Sequence, residues 1–131
     1  MNEETADAVR QWLAKAESDI RTVEILLPDA ACPRDVVCFH CQQYVEKLLK
    51  ALLTLHGIEA PKTHNLRRLI QLAVSNVPEL NDLIDDSDRL TEHGVTCRYP
   101  DDWREIGTEE MEQMIRLARK FGAILVPKLN A

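Results

Sequence analysis

Twenty consecutive residues, Cys38 to Gly57 (CFHCQQYVEKLLKALLTLHG), carry a pattern that fits one element above all others, a helix covered on several sides. At about 100° per residue, Val37, Cys41, Tyr44, Val45, Leu48, Ala51, Leu52 and Leu55 share one broad arc. So wide an arc suits a central bundle helix rather than a helix lying on a surface. The opposite arc carries His40, Gln43, Glu46, Lys47 and Lys50, and the steps 40, 43, 47, 50 place an imidazole, an amide and two ammonium groups in one stripe. Val36, Phe39 and Leu53 interrupt that polar side, so it reads as a site or an interface.

A chain of 131 residues with 45% hydrophobic residues, only 4 glycines and 5% aromatics suits one helical domain, residues 1–131. No apolar run approaches the roughly 20 residues of a membrane span, and Met1 to Asp7 is acidic rather than signal-like. The expectation is a cytoplasmic protein with no membrane association, its four cysteines reduced. A net charge of −6 argues against general DNA binding. The charge is uneven, however. Lys47, Lys50, Lys62, Arg67 and Arg68 face only Glu46 and Glu59 within the 46–68 segment, whereas the 79–92 segment holds six carboxylates and only Arg89.

In chain order, the spacing of Val9, Ala16, Ile20, Val23 and Leu27, with Trp12 or Leu13, predicts a first helix over 3–27, capped by Asn2 or Thr5 and stopped by Pro28. Pro33 suits the start of the second helix and Gly57 its left-handed end. A third helix buries Leu66, Leu69, Ile70, Ala73 and Val74. Pro78 starts or kinks a fourth, with Leu80, Leu83, Ile84 and Leu90 inward. The stretch 95–107 has no helical period. The last helix is expected to be capped by Thr108, to bury Met111, Met114, Ala118, Phe121 and Leu125, and to end before Pro127. No strand pattern or repeat is visible, so the predicted fold is all-α, an antiparallel up-and-down bundle of four to five helices.

Cys38 and Cys41 form a CxxC, a pattern shared by zinc and dithiol sites. Both fall on or beside the apolar arc, and no second ligand pair stands at zinc-finger spacing, so core thiols are the better reading and no metal site is assigned. No Walker loop, dinucleotide glycine pattern or HExxH is present, and no cofactor is implied.

The segment FHCQQYVEKLLKALL, with WLAKAESDI before it, KTHNL at Lys62 to Leu66 and RYP at Arg98 to Pro100 after it, resembles the HEPN (higher eukaryotes and prokaryotes nucleotide-binding) family. The resemblance spans nearly the whole chain. It implies a helical bundle, usually homodimeric, in a family of metal-independent endoribonucleases, partners of minimal nucleotidyltransferases and members proposed to bind nucleotides. The ribonuclease members carry an arginine and then, after four to six intervening residues, a histidine. Arg98 is followed by no histidine in that range, Arg89 and His93 stand one residue too close, and Arg34 and His40 lie in the wrong helix. RNA cleavage through the 2′-hydroxyl needs an acid and a base, for which arginine is poorly suited. No catalytic residue is assigned.

Residues and resemblance together nominate a phosphate-favouring site between the second helix, the 62–65 loop and the 98–100 stretch. His40, Gln43, Lys47, Lys50, Lys62, His64, Arg98 and Tyr99 would meet the ligand, with Asp19 and Glu46 orienting the basic groups. Free N–H groups at the third helix's start would add to the attraction. The competing reading is that Asp19, His40 and Lys47 satisfy one another within a bundle or dimer seam. Three functions follow: a nucleotide-linked partner protein, binding a nucleotide or pairing with a minimal nucleotidyltransferase in a two-component, toxin–antitoxin-like system; an endoribonuclease toxin; or a non-catalytic interaction module. The first is the favoured expectation, with homodimerisation through Phe39, Leu53 and their neighbours.

Overall fold

The structure, a computed structural model, describes residues 1–94 and 104–130. These residues form an antiparallel bundle in which five helices are described: α1 (Glu3–Leu26), α2 (Arg34–Leu55), α3 (Leu66–Ala73), α4 (Ile84–Thr91) and α5 (Thr108–Leu129), with a 3-10 turn at Pro78–Leu83 leading into α4. Among the described residues there is no strand.

Local chemistry sets most boundaries. The Asn2 side chain accepts from the Thr5 N–H at 2.7 Å, and Glu3 and Glu4 sit in the first turn of α1 where its dipole favours negative charge. Leu27 ends α1 immediately before Pro28. The end of α2 is closed by Gly57 at φ 72°, a left-handed conformation that costs glycine little. That turn lets the Ile58 N–H reach the Leu53 carbonyl at 2.9 Å and the Gly57 N–H reach Thr54 at 3.1 Å, a Schellman closure.

Two expectations about α5 are corrected. Gly107, not Thr108, is the N-terminal cap residue, and Thr108 is already helical. The helix also runs through Pro127 to Leu129. Leu129 is buried and the Asn130 N–H bonds the Val126 carbonyl at 3.1 Å, so packing of the last turn outweighs the single ladder bond that proline removes.

The core is one contiguous cluster centred on α2, against which α1, α5 and α3 all pack. Val37, Cys38, Cys41, Val45, Leu49, Ala51, Leu52 and Leu53 of α2 are fully buried. Leu53 is therefore a core residue of the single chain and not part of a dimer surface. The helical wheel placed it on the polar side because a helix enclosed by three others has no dry and wet halves. Val36 and Phe39 remain half-buried.

α2 and α5 approach closely where Gly122 faces Tyr44. A Cβ at Gly122 would collide with the Tyr44 hydroxyl and come within 3.1 Å of two ring carbons. Gly122→Ala is expected to destabilise the fold by about 1–3 kcal/mol, although alanine gains up to about 1 kcal/mol in helix propensity. In a Tyr44→Phe background, which removes the colliding oxygen and leaves only the two ring carbons close, the same substitution should cost clearly less. Urea unfolding of the two singles and the double measures this coupling; additive losses would refute it.

Candidate functional site

The polar stripe of α2 is organised by two buried carboxylates. Asp19, on the buried face of α1, receives His40 Nδ1 at 2.7 Å on one oxygen and Lys47 Nζ at 2.6 Å on the other. Glu46, in the middle of α2, receives His64 Nδ1 at 2.9 Å and Gln42 Nε2 at 3.1 Å on one oxygen, and Lys50 Nζ at 3.1 Å on the other. A carboxylate only accepts, so Nδ1 carries the proton in both histidines. No buried polar side-chain atom among the described residues lacks a partner.

The helical repeat explains why these groups meet. His40 and Lys47 are two turns apart on the α2 edge that faces α1, so both reach Asp19. Gln42, Glu46 and Lys50 follow at steps of four along the next edge. Lys50 also lies 5.7 Å from the centre of the Trp12 ring of α1, a cation–π distance. Gln42 is fully buried and its amide donates to the His64 carbonyl at 3.0 Å, which ties the 62–65 loop to α2. From the other side, Thr91 at the end of α4 accepts from the Leu66 N–H at 3.1 Å.

The nominated residues are thus divided rather than convergent on one point. His40 and Lys47 belong to Asp19, Lys50 and His64 to Glu46, and Gln43 donates to Gln42 at 2.7 Å. Lys62 is exposed and pairs with no described residue. Arg98 and Tyr99 lie outside the described residues. The start of α3 differs from expectation: the Leu66 and Arg68 N–H groups are taken by Thr91 and by Asn65, so two of its leading donors are already used. Of the groups bonded to Asp19 and Glu46, His64 is open to solvent, its side chain 66% exposed while Glu46 behind it is 5% exposed.

A second polar cluster stands where α4 meets α5. Arg104 binds Glu110 through two parallel bonds of 2.7 and 2.6 Å, and His93 Nε2 lies 3.1 Å from the same carboxylate. These residues, with Arg89 and Glu92, line a cleft of about 400 Å³. The Arg104 bonds, the nearby guanidinium charge and the His93 contact hold the Glu110 carboxyl below its ordinary value. Sequence spacing set His93 aside; the signal for it was its place just past the α4 terminus, opposite an acidic first turn of α5.

Cys38 and Cys41 are fully buried, and burial pushes both thiols up to about 12, far from a reactive thiolate. Among the described residues no group of three histidine, cysteine or acidic side chains could hold a metal ion, and no helix is long and apolar enough to cross a membrane.

Comparison with known proteins fits this geometry. The chain belongs to the HEPN domain family, whose model matches residues 9–129. It is 32% identical, over 96 residues, to the protein named "Putative toxin MJ1304" of Methanocaldococcus jannaschii, a match covering 69% of this chain and 62% of that protein. The chain therefore spans less than two thirds of that relative's length. No solved structure gives a significant match.

The Glu110 cluster has a pH signature. A carboxyl held below its ordinary value of 4.5 when folded contributes stability above that pH and loses it as pH falls towards the folded value. Glu110→Gln is expected to lower the urea midpoint at neutral pH. The gap from wild type should close as pH drops below 4.5. A gap that stays constant down to about pH 3 would contradict the assignment.

Proposed function

We propose that this chain is the helical, non-nucleolytic member of a two-component, toxin–antitoxin-like pair. In this reading the front formed by α2 and the 62–65 loop receives a nucleotide phosphate, free or presented by a minimal nucleotidyltransferase partner. The observation that carries the reading is the geometry at Glu46. One buried carboxylate fixes an ammonium and an imidazole on adjacent elements and leaves His64 open to solvent beside Lys62. A phosphate approaching from outside meets the exposed Lys62 ammonium and a His64 ring whose orientation Glu46 already fixes, which lowers the ordering cost of binding. Family membership and the printed name of the Methanocaldococcus relative support the two-component setting.

Lys47 and Lys50 are largely enclosed against their carboxylates, so Lys62 and His64, both exposed although His64 also bonds Glu46, give the more accessible pair to test. Calorimetry with ATP, GTP and AMP is expected to show saturable binding to the wild-type chain, weakened about tenfold or more in Lys62→Ala/His64→Ala, a loss of about 1.4 kcal/mol or more. Lys62→Ala alone should leave the melting temperature unchanged, because Lys62 is exposed and pairs with no described residue, whereas His64→Ala also removes a donor from buried Glu46 and is expected to lower it. No heat with any of the three, together with no co-purification of a nucleotidyltransferase, would defeat the proposal.

The α4–α5 cleft favours a second reading, that of an endoribonuclease. His93, Arg89 and Arg104 line one cleft, and an imidazole beside guanidinium groups is what phosphodiester cleavage requires. Incubation with unstructured RNA in excess chelator separates the two. We expect no turnover; cleavage that is abolished by His93→Ala would establish the nuclease reading instead.

A further inference from the structure

α1 and α5 both pack on α2, but at the end of the bundle that carries the α1–α2 connection a groove stays open between them. It has a volume of about 490 Å³ and lies between Leu27, the 29–34 loop and the first three turns of α5. Small-molecule sites commonly hold about 300–1,000 Å³, with an apolar lining and a few placed polar groups. Its floor is apolar, formed by half-buried Leu27 and by Met111 and Ile115, both nearly closed to solvent.

The rim is cationic. Arg34, Arg116 and Arg119 all line the groove. Arg34 is already committed, donating to the Ile106 carbonyl and lying 3.6 Å from Glu105. Arg116 and Arg119, about one turn apart on α5, make no hydrogen bond or ion pair with any described residue. Of the two carboxylates on the rim, Asp29 accepts from the Ala31 N–H at 2.8 Å within its own turn. Glu112 makes no ion pair within 4.0 Å among the described residues. Two guanidinium groups without carboxylate partners therefore stand over an apolar floor in a chain of net charge −6.

We infer that this groove binds a small organic anion, with an apolar body of about one ring seated on Leu27, Met111 and Ile115. Its phosphate or carboxylate head is held by Arg116 and Arg119. The planar fork of arginine matches either head with paired hydrogen bonds. The floor supplies what free inorganic phosphate would not use, at ~25 cal/mol per Å² of apolar surface covered. This site is separate from the Lys62–His64 front and does not depend on it.

Calorimetry on the full chain with phenyl phosphate, benzoate and inorganic phosphate provides the test. At least one aromatic anion is expected to bind saturably, about tenfold or more tighter than inorganic phosphate. The stronger of the two aromatic probes identifies the head. Arg116→Gln/Arg119→Gln should weaken that binding about tenfold or more with an unchanged melting temperature, since both side chains are exposed. Ala30→Trp, at an exposed loop position facing the groove, should block binding by filling it. Lys62→Ala/His64→Ala should leave it intact, so failure here and failure of the nucleotide reading are distinguishable. No saturable heat from either aromatic anion up to about 10 mM would overturn the inference. So would undiminished binding in the double arginine variant, or inorganic phosphate matching the aromatic probes.

Discussion

A carboxylate removed from water must find donors, and two such carboxylates, Asp19 and Glu46, sit against the central helix of this bundle. Their burial dictates much of what surrounds them. Asp19 can be enclosed only because α2 offers His40 and Lys47 two turns apart. Glu46 can be enclosed only because Lys50 rises from the following turn and the 62–65 loop folds back to deliver His64. Removing one member of such a set leaves a charge with incomplete compensation, which costs more than the set contributes when intact. The register of α1 on α2, and the path of the chain after Gly57, are thus specified by polar chemistry as well as by leucine packing.

The members of this network differ in how far each reaches solvent. Each carboxylate is buried; of the groups bonded to the pair, Lys50 is buried as well, His40 and Lys47 are partly exposed, and His64 is mostly exposed. Of the two accounts that the sequence leaves open, the internal seam is the one these hydrogen bonds show; the ligand site is a proposal. At the α4–α5 junction Glu110 is likewise held, with Arg104 on one side and His93 on the other.

The sequence was most legible where one strong local signal stood alone. Pro28, Gly57, Asn2 and the apolar period of α1 and α5 placed helix limits to within a residue or two. Pro127 misled because a proline in a last turn removes only one bond, while Leu129, unremarkable in sequence, is drawn into the core. Leu53 misled because a two-sided wheel cannot represent a helix enclosed by three neighbours. The Asp19–His40–Lys47 association was foreseen as one of two readings, since an acid at helical register beside a basic stripe is visible in one dimension. Gln42 was missed. A buried amide that anchors a loop has no sequence signature apart from the loop it anchors. His93 was named and set aside, because a spacing rule says nothing about a partner 17 residues further on.

The lengths of the helices carry a consequence for how this molecule opens. α1, α2 and α5 have 24, 22 and 22 residues, whereas α3 and α4 have eight each. Isolated helices shorter than about 12–15 residues do not hold in water, so these two persist only as long as α2 templates them. The Arg67 clasp onto Asp85 and Asp88 lies in solvent and ties α3 to α4, not to the rest of the bundle. The α3–α4 segment is therefore the unit whose amides should exchange with solvent ahead of the three long helices. His64 enters it and His93 leaves it, so a single partial opening would unmake both polar clusters together.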